Sequence, residues 1–310
     1  KKDDIMEILV GKMAGFCYGV NNAVTKTIEY LEKSNKKLYC LGEIVHNKQV
    51  VKELEEKGVT FIDNVENIIE LNKENKDITV VIRAHGEPKS TYDLLEKNNI
   101  ETLDLTCPSV LKIHKTVEEY VNMGYYIFLI GQKNHPETIG TYGFCKGKCS
   151  IIENIEDIDL SIKYVTENNF KKVLIVAQTT FSLEKFNKFI NKIKEFVNKY
   201  NAVEKTNNPM ELEIKNTICN ATKLRQEETN EISKQVEYMI IIGGKNSSNT
   251  KKLYDVSKEN CNNVILIETY KELQNEDLID KIKKSQKVGI MAGASTPKKS
   301  IDDVINILKK

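Results

Sequence analysis

The sequence predicts an α/β protein of three similar α/β domains, each with a small, mainly parallel sheet, in a pseudo-threefold arrangement. Two observations predict it. A cysteine-led segment recurs three times along the 310 residues. Within each copy the strands are continuous apolar runs, such as TVVI, YYIFLI and YMIII, rather than alternating ones. Such runs between helical segments belong to parallel sheets covered on both faces.

The repeat sets the register of every element. Cys17 opens the helical stretch CYGVNNAVTKTIEYLEK, and the strand KLYCLG ends at Gly42, 25 residues later. Cys107 opens CPSVLKIHKTVEEYVNMG, and YYIFLIG ends at Gly131, 24 residues on. Cys219 opens CNATKLRQEETNEISKQV, and YMIIIGG reaches Gly243, again 24 residues on. Each glycine leads into a polar loop that opens a helix: GEIVHN, GQKNHPE and GGKNSSN. Short strands with acidic turns follow at GVTFIDNVENI, CSIIENIEDI and NVILIETYKEL. Apolar strands ending in polar turns close each copy at TVVIRAHGEPKS, KVLIVAQTTFS and KVGIMAGASTPKK. A period this regular is read before any single motif. Domains are expected at 12–98, 99–200 and 201–310. The strand before each cysteine is expected to close the preceding unit, so the N-terminal segment 1–11 completes the third.

Composition excludes several classes. The chain is 40% apolar and 29% charged with a net charge of +1. That is ordinary for a globular protein and lacks the basic excess of a nucleic-acid binder. Apolar runs such as 126–130 and 239–242 are too short to span a bilayer. No signal peptide or lipidation motif is present. Of the 46 basic residues only Arg83 and Arg225 are arginine, and asparagine is abundant, a bias typical of an A·T-rich genome. The first residue is Lys rather than Met, so an upstream tag or targeting peptide is expected to have been removed.

The polar turns carry the chemistry. In parallel sheets ligands bind beyond the carboxyl ends of the strands, where these turns lie. Ser247, Ser248 and Asn249 sit at one helix start, and Ser295 and Thr296 precede Pro297 at another. Free N–H groups and the dipole at such ends favour phosphate, although each turn read alone is ordinary N-capping. Three of the four histidines, His46, His85 and His135, fall in the turns; His114 lies on a helix as a surface or packing residue. Converging histidines suit anion binding or proton transfer. Glu137, two residues from His135, reads as a first-turn carboxylate or as a proton donor.

Seven cysteines in a long, loop-poor chain argue against a disulfide framework and for a reducing compartment. Cys17, Cys107 and Cys219 each precede a helix, where the thiolate that binds metals is favoured. Cys40 reads as core. Cys145, Cys149 and Cys261 have no repeat equivalents, and a Cys145/Cys149 metal pair stays open.

At these residues the sequence resembles the 4-hydroxy-3-methylbut-2-enyl diphosphate reductases of the LytB/IspH family. The resemblance covers about residues 5–310 and is carried by GFCYGV, GEIVHN, RAHG, DLTCP, GQKNHPET, AQTTFS, TICNAT, GGKNSSNT and AGAS. It implies a trefoil of three α/β domains around a central [4Fe–4S] cluster with three Cys ligands, Cys17, Cys107 and Cys219, and one open iron site. It implies His46, His85, Ser247, Ser248, Asn249 and Ser295 as diphosphate ligands, with His135, Glu137 and Thr179 handling the substrate hydroxyl and protons. The implied reaction is reductive dehydroxylation of the allylic diphosphate to isopentenyl and dimethylallyl diphosphate, the last step of the non-mevalonate (MEP) isoprenoid pathway. The implied partners are that small-molecule substrate and a ferredoxin- or flavodoxin-type electron donor, with no nucleic acid and no membrane. The stretch NATKLRQ after Cys219 departs from the family pattern, where an aromatic residue and a more polar stretch are expected. No C-terminal fusion domain is expected. The family implies bacterial cytoplasm or a plastid, and the Lys/Asn bias fits an apicoplast-type stroma or an A·T-rich bacterium. Two rival readings remain at this stage: a metal-free binder of a phosphorylated metabolite, and a zinc hydrolase with Cys and His ligands.

Overall fold

A computed structural model of the chain describes residues 6–204 and 209–310. In chain order the elements are β1 (Glu7–Val10), α1 (Tyr18–Lys33), β2 (Lys37–Leu41), α2 (Lys48–Glu56), β3 (Val59–Ile62), α3 (Val65–Glu74), β4 (Ile78–Ile82), α4 (Lys89–Lys97) and β5 (Glu101–Asp104). There follow α5 (Pro108–Asn122), β6 (Tyr126–Ile130), α6 (Pro136–Tyr142), β7 (Cys149–Ile152), α7 (Ile155–Glu167), β8 (Lys172–Ala177), α8 (Leu183–Glu204) and β9 (Glu211–Ile214). The chain continues through α9 (Asn220–Ser233), β10 (Tyr238–Ile242), α10 (Ser248–Lys258), β11 (Asn263–Ile267), a 3-10 turn (Tyr270–Leu273), α11 (Glu276–Lys283), β12 (Lys287–Ala292) and α12 (Lys298–Lys309).

The strands form three all-parallel four-stranded sheets of one topology: β3-β2-β4-β5, β7-β6-β8-β9, and β11-β10-β12-β1. The α/β class and the threefold repetition are as expected. β1 pairs with β12 from Glu7↔Lys287 to Val10↔Ile290, completing the third sheet. β5 pairs with β4 and β9 with β8, so each closes the sheet before its cysteine. A cut before residue 99 or 201 therefore divides a sheet; α8, too, runs across residue 200 to Glu204. The reason is that the closing strand comes last in each repeat, and the cysteine marks the true end.

The continuous apolar strands have the predicted cause. In the second sheet Tyr126, Phe128 and Ile130 pack with Phe186, Phe189 and Ile193, while Ile127 and Leu129 pack the opposite way with Ile113, Val117 and Cys145. Both faces of β6 are covered, so each of its five positions buries an apolar side chain, at about 1.5–3 kcal/mol apiece. Helix starts follow local rules. Asn47 caps α2 by accepting from the N–H groups of Gln49 and Val50, and prolines 108 and 136 stand in the first turns of α5 and α6.

Packing divides the chain into two compact units. One comprises Lys1–Ile28, Val45–Lys57 and Asn220–Lys310, and contains the third sheet; the other comprises Glu29–Ile44 and Gly58–Cys219, and contains the first and second.

Candidate functional site

The three repeat-equivalent cysteines share one backbone setting. Each immediately precedes a helix, α1, α5 or α9. Each donates its N–H to the carbonyl two residues past the end of the strand that stands third in its sheet's spatial order (β12, β4 or β8): Cys17 to Ala294 at 3.1 Å, Cys107 to Ala84 at 3.0 Å, Cys219 to Thr179 at 3.1 Å. All three are partly exposed and in no disulfide, whereas Cys40, Cys145, Cys149 and Cys261 are buried. Burial pushes the Cys40 thiol up to about 12, and burial with the neighbouring Cys145 thiol pushes Cys149 well above the ordinary range. Those two stay protonated, which disfavours metal binding by the Cys145/Cys149 pair.

In the unit holding the third sheet, the α10 turn collects hydroxyl and amide groups. Ser247 caps α10 by accepting from the N–H of Thr250 at 3.3 Å, and Ser248 and Asn249 fill the first turn, all three buried. The Asn249 amide has neither oxygen nor nitrogen bonded within the protein, and the Thr250 hydroxyl is likewise unsatisfied. A buried amide left so costs roughly 1–3 kcal/mol, a cost a ligand would remove. Ser295 reaches the same neighbourhood: its hydroxyl donates to the His46 carbonyl at 3.3 Å, and the Asn47 amide donates to the Ser295 carbonyl at 2.9 Å. Gly244 is needed here, since a Cβ on it would lie 2.3 Å from the His46 oxygen.

In the other unit the turns carry ionisable groups. The His85 and His135 rings meet edge to face, 5.4 Å between centroids. His135 caps α6, its Nδ1 accepting from the Glu137 N–H at 3.2 Å. The Glu137 carboxyl is buried and accepts twice from Thr179, from the N–H at 2.6 Å and the hydroxyl at 2.7 Å. Burial raises Glu137 to about 7, against the smaller opposing pull of the two Thr179 bonds. Thr179 in turn accepts the Cys219 N–H, so one residue joins the carboxyl to a candidate ligand cysteine.

A family model described as "LytB protein" matches residues 8–309. The chain belongs to the LytB family. It is 41% identical to the 4-hydroxy-3-methylbut-2-enyl diphosphate reductase of Caldanaerobacter subterraneus subsp. tengcongensis, over 98% of this chain and 97% of that one. It is 38% identical to the reductase of that name from Clostridioides difficile, over 98% and 99%. Among solved structures it is similar to the E-1-hydroxy-2-methyl-but-2-enyl-4-diphosphate reductase of Plasmodium falciparum, with a TM-score of 0.84 and 30% identity over 99% of this chain and 89% of that one. A second is described as (E)-4-hydroxy-3-methyl-but-2-enyl diphosphate reductase, the terminal enzyme of the non-mevalonate pathway, with a TM-score of 0.68 and 39% identity over 98% and 99%.

The residues present fit the iron–sulfur group the LytB family implies. Three partly exposed cysteines in matching backbone settings offer a sulfur donor set, and cysteine sulfur is the usual cluster ligand. Each unit supplies part of the predicted set: His46, Ser247, Ser248, Asn249, Ser295 and Cys17 in one, His85, His135, Glu137, Thr179, Cys107 and Cys219 in the other. Both arginines of this LytB chain are engaged internally: Arg83 pairs with Glu87 at 2.9 Å, and buried Arg225 donates to the Gly15 carbonyl at 2.6 Å. No helix of the described residues is long and apolar enough to cross a membrane.

Sequence reasoning left His114 between surface and packing and did not single out Glu228. His114 is buried, stacks on Phe144 at 4.3 Å, and has both ring nitrogens unsatisfied. Desolvation lowers it to about 4, so it is neutral, and it lies against Gly86 (φ 72) in the turn that carries His85. Glu228 accepts the N–H groups of Lys12 and Met13. A histidine at an apolar helix spacing was the available signal for the first; nothing local signals the second.

Proposed function

We propose that this chain reduces 4-hydroxy-3-methylbut-2-enyl diphosphate to isopentenyl and dimethylallyl diphosphate, closing the non-mevalonate route. Cys17, Cys107 and Cys219 would hold a [4Fe–4S] cluster and leave one iron without a protein ligand. When bound, that cluster would pass on, one at a time, the two electrons from an external donor that cleavage of the allylic carbon–oxygen bond requires. The balance is one alcohol, two electrons and two protons giving one alkene and one water.

The chain's own residues bind the substrate and manage the protons. Ser247, Ser248, Asn249 and Ser295 offer neutral donors to the diphosphate, joined by His46 and His85. Both arginines have internal tasks, which favours this neutral and imidazole set over an arginine clamp. Glu137, half protonated near neutrality, delivers a proton to the departing hydroxyl, because hydroxide leaves poorly and water leaves well. Thr179 fixes both carboxyl oxygens and can pass the proton on; His135 stands beside it. The observation that carries the reading is this buried carboxyl bonded twice to Thr179, whose carbonyl holds Cys219.

The electrons would come from a ferredoxin- or flavodoxin-type protein, in bacterial cytoplasm or a plastid-type stroma. The test is an oxygen-free assay with a reduced low-potential dye as donor. Formation of both C5 diphosphates is expected. Release of phosphate without reduction, or substrate binding without turnover, would replace the reading with a hydrolase or a binding protein.

A further inference from the structure

The loops that lead to the three cysteines differ in length. Residues 105–106 join β5 to Cys107, and 215–218 join β9 to Cys219, but 11–16 join β1 to Cys17. The short loops are held by their own side chains. Asp104 accepts from the N–H and hydroxyl of Thr106, Asn216 accepts from the Ile218 N–H, and Thr217 bonds to Ala177. The long loop's backbone is hydrogen-bonded to the sheet at its ends, by Gly11 N–H to Ile290 at 3.0 Å and Cys17 N–H to Ala294 at 3.1 Å, while Met13 and Ala14 pack their side chains against Met239, Ile241 and Met291.

Between those anchors Ala14 turns back on Gly11, its N–H donating to the Gly11 carbonyl at 3.1 Å, and α9 satisfies Lys12, Met13 and Gly15. Glu228 accepts the N–H groups of Lys12 and Met13 at 2.7 and 2.8 Å, one on each carboxylate oxygen. Arg225 donates to the Gly15 carbonyl at 2.6 Å and, with its other terminal nitrogen, to the Ala221 carbonyl at 3.3 Å. Positions 225 and 228 are three apart and so share a helix face. Arg225 is among the largest fully buried side chains in the molecule. A guanidinium is costly to bury, and its hydrogen bonds to carbonyls offset that only in one geometry. The residue is therefore set by the loop and sets it.

We propose that Arg225 and Glu228 are positioning residues that fix the Cys17 loop, so that the helix opened by Cys219 also places the N-terminal cysteine. This rests on the reading of Cys17 as a cluster ligand. An acidic and a basic side chain clamp one loop from both sides of its backbone, N–H and C=O. Loss of either frees the segment just ahead of Cys17 while the β1–β12 pairing remains. Neither residue touches substrate or iron in this account.

The test compares wild type with Arg225→Gln, Arg225→Lys and Glu228→Gln, each purified without oxygen. Hydrogen exchange is read in the peptide 11–17 and in β10. Iron release is timed during challenge with a ferrous chelator. In Glu228→Gln one amide donor replaces an acceptor, so exchange at 12–13 should rise about tenfold. Iron release should quicken several-fold while β10 keeps its protection; Arg225→Lys should fall between wild type and Arg225→Gln. If Arg225→Gln does not fold, Glu228→Gln alone decides. Unchanged exchange at 11–17 overturns the brace, and faster exchange there with unchanged iron release overturns its link to the cluster. Iron-free wild type would instead refute the cluster reading, which the exchange data do not depend on.

Discussion

The second and third repeats place opposite chemistry on the same turn. Glu137 lies six residues after Gly131, and Asn249 six after Gly243. Both are buried on the first turn of a helix. Both turns are stapled alike. Lys133 donates its N–H to Glu153 and pairs with Asp157; Lys245 donates its N–H to Glu268 and pairs with Glu272. Yet the Glu137 carboxyl is satisfied from within by Thr179, while the Asn249 amide is bonded to nothing in the protein. The scaffold fixes where the side chain sits; its internal partners decide whether it stores a proton or waits for a ligand.

Glu137→Gln removes the difference by putting an amide in both turns, and it should have the largest effect of these turn exchanges. The general-acid role is worth about 10² to 10⁴ in turnover. Cluster content and substrate affinity should persist. A variant within a few-fold of wild type would leave Glu137 with only a first-turn contribution of about 0.3–1 kcal/mol. The same carboxyl gives a pH signature. With its value near 7, protonated enzyme and turnover decline as pH rises through 7. Because the native value lies above the unfolded one of 4.5, the native state holds more protons between the two, so stability also falls from pH 4.5 to 7. Thermal midpoints of Glu137→Gln should lack that portion of the fall.

Asn249→Asp makes the opposite exchange. A carboxylate facing a diphosphate loses a donor and adds repulsion, and affinity should drop about 10- to 100-fold, on the scale of a hydrogen bond to a charged group. Turnover at saturation should stay within a few-fold. A fall in turnover with unchanged KM would place Asn249 away from the diphosphate.

The repeat that makes this comparison possible was legible from sequence because the cysteine-to-glycine spacing is nearly invariant and each polar turn keeps its place. That a polar loop opens each of α2, α6 and α10 was legible for the same reason, although Asn47 and His135 were not singled out as the caps they are. What was hidden depends on contacts far apart in sequence. Arg225 and Gly15 are separated by 210 residues, Glu228 and Lys12 by 216, so no local pattern reports them. His114 lies on the apolar stripe of α5 with Val110, Ile113, Val117 and Val121, and its packing on Phe144 and Gly86 decides between a surface and a packing role. The strands β5 and β9 were expected to close the preceding sheets, yet the domain boundaries at 99 and 201 fall ahead of them and divide those sheets.

His114 lets the first repeat's turn be tested with a smaller effect. Its native value near 4 lies below the unfolded 6.5, so its stabilising contribution is complete above 6.5 and is lost as pH falls toward 4. His114→Phe should therefore lose less stability between pH 7 and pH 5 than wild type. At about 2 °C per kcal/mol, the difference is a few degrees in Tm. An equal acid slope in both proteins would contradict the buried, neutral ring.

Three of the seven cysteines share one backbone setting, and the proposed function needs these three, rather than the buried four, to hold the cluster. The direct measurement is iron, acid-labile sulfide and visible absorption on oxygen-free preparations of wild type, Cys107→Ser and Cys145→Ser. About four iron and four sulfide per chain are expected in wild type and Cys145→Ser. In Cys107→Ser a depleted or labile cluster with no turnover is expected. A colourless wild type, or a Cys107→Ser protein with full iron and normal turnover, would contradict it.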